Sequence, residues 1–370
     1  WLKPSALFNR RRTDPDPAPG PLVIPRSEHG ISRANISENA LKVLYRLSKG
    51  GYEAYLVGGG VRDLLLGREP KDFDVATDAS PEEVKDLFRN CRLIGRRFRL
   101  AHVYFGRNQE IIEVATFRAG HGEGAGEGEM ENGMIVRDNV YGTLEDDAWR
   151  RDFTVNALYY NIQDFSVVDH TGGMEDLRAG RLRVIGDPHA RFREDPVRML
   201  RAIRFAGKLG FRLDEQAEAA VYELGHLLEE VVPARLFDET LKLFMGGYGV
   251  ETFELLRHYR LFGYLFPETE ERLSHEEAHF PLTFVAKALE NTDRRVEAGK
   301  PVTPAFLYAA LLWEPVRHEA ARQREQDVPP LPAMQEAGGV VVGRQSQCVA
   351  FPKRFSLQAR ESWEMQARRT

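Results

Sequence analysis

The sequence predicts an α+β chain: a mixed strand-and-helix first half followed by an all-helical second half. Up to about residue 186, short apolar runs of strand length alternate with helical patterns. From there to about residue 313 only helical periodicity is legible. The length of 370 residues leaves room for two to three domains at roughly 150 residues each. Hydrophobic residues make up 42% and charged residues 29%, which excludes wholesale disorder. No apolar run approaches the roughly 20 residues of a membrane helix. Two cysteines, Cys91 and Cys348, cannot build a disulfide framework or a Cys-rich zinc site, and a reducing compartment is expected.

In chain order, residues 1–12 hold Arg10, Arg11 and Arg12 and no acid. A transit peptide has that composition, but the Pro-rich stretch Asp14–Pro21 that follows favours a basic, disordered arm. Trp1 in place of Met is expected to mark a trimmed or processed end. Ser37 followed by Leu41, Leu44 and Tyr45 reads as a capped amphipathic helix. Tyr52–Val57 reads as a strand broken by Gly58–Gly60, and Val61–Leu66 as a helix. Phe73–Ala76 is a strand and Pro81–Phe88 a helix with proline at its start. Leu100–Phe105 and Ile111–Phe117 form a hairpin. The Gly/Glu-rich stretch Ala119–Gly133 is expected to be a surface loop without structure of its own, and Asp152–Tyr160, lacking a strand period, a helix. Helices follow at Pro196–Leu209, Gln216–Leu228, Pro233–Phe244, Gly249–Tyr259, Phe280–Glu290 and Pro304–Trp313. Beyond these, Val328–Ala333 and Gly338-Gly339 are expected to interrupt any helix.

Net charge is 51 − 56 = −5, which by itself argues weakly against a nucleic-acid partner. The average hides a basic segment: Arg191 to Arg212 carries seven Lys/Arg against Glu194 and Asp195, enough to attract phosphates locally.

Five stretches carry chemistry. Leu56-Val-Gly-Gly-Gly-Val-Arg-Asp63 runs from strand through a glycine turn into a helix, where backbone N–H groups and Arg62 can meet an anion. It is neither a dinucleotide fingerprint nor a P-loop, and an ordinary strand–helix turn has the same form. Lys71-Asp-Phe-Asp-Val75 places Asp72 and Asp74 on one strand face, a site for a hard cation such as Mg²⁺. Twenty Asp residues yield about one Asp-x-Asp by chance; Asp14/Asp16 in the arm is the accidental one. Asp72 and Asp74 are instead flanked by apolar Phe73 and Val75, a dozen residues after the glycine turn. Glu113, alone in the apolar run Ile111–Phe117, is either a third metal carboxylate or an outward-facing strand acid. Arg150-Arg-Asp-Phe-Thr-Val-Asn156 is the fourth stretch. In the fifth, Arg193–Phe205, helical spacing sets Asp195, Arg198, Arg201 and Arg204 on one slowly drifting face. A triphosphate would relieve the repulsion among its arginines; an exposed helix with an Asp–Arg pair reads the same way. Arg96-Arg-Phe-Arg99 could grip single-stranded nucleic acid or be a solvated basic turn.

The order of these five stretches over about residues 30–270 resembles the class II template-independent nucleotidyltransferases, the tRNA CCA-adding enzymes and bacterial poly(A) polymerases. Phe88–Val103, the long N-terminal arm and Pro233–Glu239 are most similar to the bacterial poly(A) polymerases. Residues 314–370 match no part of that pattern, and the strongly basic tail usual in those polymerases is missing, so the C-terminus is expected to be incomplete. The resemblance implies a flexible arm (1–36), a nucleotidyltransferase head with a mixed sheet (37–185), a helical neck for base reading and RNA binding (186–248), and a helical RNA-binding body (249–370). It implies two Mg²⁺ ions on Asp72, Asp74 and Glu113. The triphosphate would be held by Gly59, Gly60, Arg62, Arg201 and Arg204, the ribose read by Arg151 and Asp152, and the base by Asp195 and Arg198. The implied reaction is AMP transfer from ATP to single-stranded RNA 3′ ends by a cytoplasmic, monomeric bacterial enzyme, with an RNA chaperone or degradation machinery as further partner. A CCA-adding enzyme and a non-catalytic RNA-binding relative are the alternatives. Retained paired acids argue against the second.

Overall fold

The computed structural model describes residues 20–96, 99–106, 110–119, 130–131, 134–135, 141–275 and 279–368. The chain divides into two compact units: residues 1–150 with 156–173, and residues 151–155 with 174–370.

The first unit holds the strands β1 (Leu22–Ile24), β2 (Ala54–Val57), β3 (Asp74–Thr77), β4 (Cys91–Ile94), β5 (Leu100–Phe105), β6 (Glu110–Thr116), β7 (Met130–Glu131), β8 (Met134–Ile135), β9 (Leu158–Asn161) and β10 (Val167–Asp169). Eight of them form one mixed sheet in the order β1-β10-β9-β2-β3-β6-β5-β4. Only β3 and β6 pair in parallel; the other ladders of this sheet are antiparallel. Helix α1 (Glu38–Lys49) starts where Ser37 accepts a hydrogen bond from the Ala40 N–H, and buries Ala40, Val43, Leu44 and Leu47 at helical spacing. Helix α2 (Gly59–Leu65) follows β2 directly. Helix α3 (Pro81–Leu87) opens on a Ser80–Glu83 capping box, and α4 (Leu144–Trp149) on a Thr143–Asp146 box.

Several expectations are corrected here. Asp152–Tyr160 is not a helix: a single 3-10 turn at Thr154–Asn156 leads into β9. Leu158, Tyr159 and Tyr160 are all buried, because β9 lies inside the sheet with both faces covered, and such strands show no alternation. The segment read as a flexible arm contributes β1 to the sheet edge. β4 had no legible period. Met130–Glu131, read as loop, pairs with Met134–Ile135. The Arg10–Arg12 and Asp14/Asp16 stretches, residues 120–129, and Arg97 and Phe98 lie outside the described residues.

The chain passes through α5 (Gly173–Ala179) into the second unit, where β11 (Arg181–Leu182) forms a short parallel pair with β12 (Arg212–Leu213), a strand beyond residue 186 where only helices were expected. Helices follow: α6 (Pro188–Glu194), α7 (Val197–Leu209), α8 (Glu215–Leu224), α9 (Pro233–Phe244), α10 (Gly249–His258), α11 (Phe262–Leu265), α12 (Pro267–Leu273), α13 (His279–Glu297), α14 (Pro304–Leu311), α15 (Trp313–Arg324), α16 (Pro330–Cys348) and α17 (Lys353–Ala367). Gly210, left-handed at φ 69°, ends α7. The core is aromatic, with Phe262 stacked on Phe266 at 5.5 Å and Tyr308 on Phe351 at 4.3 Å.

Helix α16 corrects the reading of residues 328–339. Its prolines occupy the first turn, where a missing N–H costs nothing. Gly338 does not break it, because the helix needs the space: a Cβ there would lie 3.2 Å from the Trp363 ring of α17. Gly338→Leu is therefore expected to lower stability by about 1–3 kcal/mol through overpacking. Gly339→Ala, whose Cβ meets only the Arg360 guanidinium at 3.8 Å, should raise it by roughly 1 kcal/mol through helix propensity. Thermal melting of the two variants checks both signs.

Candidate active site

The site in the first unit is built on β2, α2, β3 and β6. Gly58 ends β2 at φ 74° and ψ −142°, a conformation open in practice only to glycine. The sequence does not distinguish Gly58 from the two glycines that follow it. The next two differ. A Cβ on Gly59 would meet the Arg62 guanidinium, at 3.2 Å, whereas one on Gly60 would lie 3.3 Å from the Asp72 backbone oxygen and 3.7 Å from the Phe73 ring. Gly60 thus lets α2 pack against the backbone that carries the acids. Gly60→Ala is expected to displace that segment and lower turnover by roughly tenfold or more, which steady-state assays would measure.

Asp72 lies two residues before β3 and Asp74 is the strand's first residue; both side chains are exposed, and Phe73 between them is buried. Asp74 lies directly opposite Glu113 in the parallel β3–β6 ladder. The topology therefore brings the third acid beside the pair. Glu113 is half-exposed, and its carboxylate lies 3.4 Å from the His102 ring of β5, a neighbour no sequence spacing indicated. Among the described residues, no three His, Cys, Asp or Glu side chains converge to enclose a metal ion by themselves. That donor set still fits Mg²⁺, which is commonly held by one or two carboxylates with water and substrate phosphates completing the shell.

Arg62 requires a correction. Expected to face a phosphate, it is 2% exposed. Its Nε and Nη2 donate to Asp63 Oδ1 at 3.0 and 2.9 Å, and its Nη1 donates to Asn156 Oδ1 at 2.6 Å. It braces the turn from within. Asn156, the last residue of the fourth stretch, was not singled out, yet it ties that stretch to the first. A second buried anchor is Asp147 of α4, which accepts from the Tyr159 hydroxyl at 2.7 Å, from Arg150 at 2.9 Å and from the Arg118 N–H at 3.3 Å. It holds the ends of the third and fourth stretches, and nothing in its sequence surroundings marked it.

The second unit holds the remaining residues. The backbone at 152–154 is fixed against 183–185: Thr154 N–H donates to the Arg183 oxygen and Ile185 N–H to the Asp152 oxygen. Asp152 accepts from Arg201 Nε at 2.8 Å and Nη2 at 2.5 Å. The Arg151 carbonyl accepts from Arg191 at 3.1 Å. Arg198 donates to Glu194 at 2.8 Å and to the Arg191 carbonyl at 3.0 Å, and Arg204 sits 4.9 Å from the Phe205 ring centre. The arginine row is thus met from within the unit. Asp195 lies off α7, in extended backbone between α6 and Pro196, so it does not share the helical face expected for it. It receives Arg235 of α9 at 2.8 Å instead of Arg198. That hydrogen bond pushes the Arg235 guanidinium pKa further above its ordinary value. Arg235 is a further candidate that its place in Pro233–Glu239 could have indicated.

Comparison with known proteins bears on this arrangement. A family model described as "Poly A polymerase head domain" matches residues 54–183. One described as "Probable RNA and SrmB- binding site of polymerase A" matches 210–273, and "Polymerase A arginine-rich C-terminus" matches 326–370. The last corrects the expectation that residues 314–370 lie outside the pattern. Poly(A) polymerase I of Escherichia coli O6:H1 strain CFT073 is 52% identical over 357 residues, 95% of this chain and 76% of the relative. The CCA-adding enzyme of Bacillus pumilus is 36% identical over 244 residues, 66% of this chain and 58% of the relative. The crystal structure of the Bacillus stearothermophilus CCA-adding enzyme in complex with CTP superposes with a TM-score of 0.55 at 27% identity, covering 89% of this chain and 80% of that one. Half of all residues shared with a polymerase across nearly the whole chain, against a third shared with a CCA-adding enzyme over two thirds of it, decides between the two readings: the chain belongs to the poly(A) polymerase family of nucleotidyltransferases.

Proposed function

We propose that this chain transfers AMP from ATP to the 3′-hydroxyl of RNA without a template, releasing pyrophosphate. The observation that carries the reading is the register of Asp74 opposite Glu113, two residues after Asp72 and against the Gly58–Gly60 turn, in a poly(A) polymerase family chain. Two Mg²⁺ ions held by Asp72, Asp74 and Glu113 would supply charge neutralisation at the attacking hydroxyl and the leaving oxygens. The protein's own work is then positioning and electrostatics. Gly59 and Gly60, in the first turn of α2, take the triphosphate, while Arg62 keeps that turn rigid. Arg201 and Arg204 take the triphosphate, Arg151 and Asp152 the ribose, Asp195 and Arg198 the base edge. Because Arg201, Arg198 and Asp195 already hold Asp152, Glu194 and Arg235, ATP binding exchanges partners for these side chains and does not order free ones. Residues 186–248 and 249–370 serve as neck and body and carry RNA on basic surfaces, with affinity that falls as salt rises. The reading has the protein acting as a monomer in the bacterial cytoplasm, with an RNA chaperone or degradation machinery as a further partner. No helix among the described residues is long and apolar enough to cross a membrane.

The test is incubation with Mg²⁺, a single-stranded RNA lacking a CCA-like end, and each of the four nucleoside triphosphates separately. Long extension with ATP alone is the expected result. Addition that needs CTP, stops after two or three nucleotides or demands a tRNA-like acceptor would instead identify a CCA-adding enzyme.

A further inference from the structure

The part of the sheet between β3 and its free edge carries a feature that none of these roles uses. β3, β6, β5 and β4 are neighbours in that order. Asp74, Glu113, His102 and Arg92 share one register row across them. Ile112, Val114, Ala101, Val103 and Cys91 are buried, so strand alternation sets residues 92, 102, 104, 111 and 113 on the opposite, open face. There Ile111 is 44% exposed and stands opposite Tyr104. The Arg92 guanidinium lies 5.6 Å from the Tyr104 ring centre, and the His102 ring 6.4 Å from it. Across three strand spacings, about 14 Å, the face changes from carboxylates to an aromatic ring flanked by a cation.

We infer that this face of β4–β6 is the track along which the 3′ end of single-stranded RNA reaches Asp72 and Asp74, with Tyr104 stacking a base and Arg92 meeting a backbone phosphate. The inference rests on the polymerase reading. An arginine on an edge strand can serve only to deter strand pairing, but that role needs no aromatic ring one strand further in. Base stacking on an aromatic ring tolerates any sequence, and cation contacts follow the backbone, as an enzyme acting on varied RNA ends requires. The gradient of charge also has the right sense. The polyanion lies over the cation, and its terminal hydroxyl lies at the acids that would hold Mg²⁺.

Fluorescence anisotropy with a labelled single-stranded RNA, together with steady-state AMP transfer, tests this. Tyr104→Ala is expected to weaken RNA binding about tenfold and raise KM for RNA in parallel. KM for ATP and kcat at saturating RNA should move less than about twofold. Tyr104→Phe, which keeps the ring, should recover most of the loss. Arg92→Ala should lower the slope of log affinity against log salt by about 0.7, the loss of one single-strand phosphate contact. Arg92 is exposed, so its variant decides the matter even if Tyr104→Ala melts early. RNA affinity unmoved in both alanine variants, or KM for ATP rising as far as KM for RNA, overturns the track. Binding is read without turnover, so a parent chain that binds RNA yet adds no AMP counts against the polymerase reading alone.

Discussion

Asp74→Ala is expected to abolish AMP incorporation while leaving the melting temperature of the chain nearly unchanged. The two halves of this expectation have separate causes. Asp74 is an exposed residue at the first position of β3, and the buried residues of that strand, Val75, Ala76 and Thr77, stay in place without it. Substitutions at such surface positions seldom cost much stability. The chemistry has no such reserve. Nucleotidyl transfer leaves the protein little covalent work, so most of the acceleration comes from charge neutralisation at fixed positions. Removing one carboxylate of a pair that holds the metal ions should cost at least about a thousandfold in kcat. Asp72→Ala should behave in the same way. Glu113→Gln should cost less, because its carboxylate also answers His102 at 3.4 Å. Single-turnover extension of a labelled RNA beside a thermal melt reads both halves. RNA extension by Asp74→Ala at near-parental rate would sink the metal assignment.

How much of this was legible depended on which force placed each residue. Local signals were reliable. Ser37 and Pro81 mark helix starts through hydrogen bonds and backbone geometry that involve only neighbours in sequence. The Asp-x-Asp spacing was readable for the same reason. What could not be read was set by the sheet. β9 shows no period because it is covered on both faces. The meeting of Glu113 with Asp74 depends on a parallel ladder between strands 39 residues apart, so its role stayed open until the topology was known. Arg62 shows the limit most plainly. An arginine after a glycine turn reads as a phosphate ligand, and only its burial against Asp63 and Asn156 turns it into a brace. The aromatic–cation pairing sought at Arg96–Arg99 has a described counterpart in Arg92 and Tyr104, on paired strands; Arg99 itself pairs with Glu82 at 2.9 Å on the surface.

That reassignment of Arg62 leads to the second large effect. Arg62→Met should destabilise the first unit by about 3–5 kcal/mol, the usual cost of removing one partner of a buried ion pair. Asp63 and Asn156 are each 7% exposed, so neither can turn to water when the guanidinium is gone. A loss of that size corresponds to a fall in melting temperature on the order of 10 °C. Arg62→Lys should recover little, since an ammonium cannot present the planar fork that meets Asp63 through two nitrogens and Asn156 through a third. Replacing the stranded acid as well, in Arg62→Met with Asp63→Leu, should cost less than the sum of the single variants, because the double change no longer buries an unpaired charge. A phosphate-binding Arg62 would give the opposite pattern. The melting temperature would hold, KM for ATP would rise, and Arg62→Lys would keep much of the affinity, because lysine also binds phosphate as a point charge. Melting curves and KM for ATP on the same three variants therefore separate a residue that shapes the turn from one that touches the nucleotide.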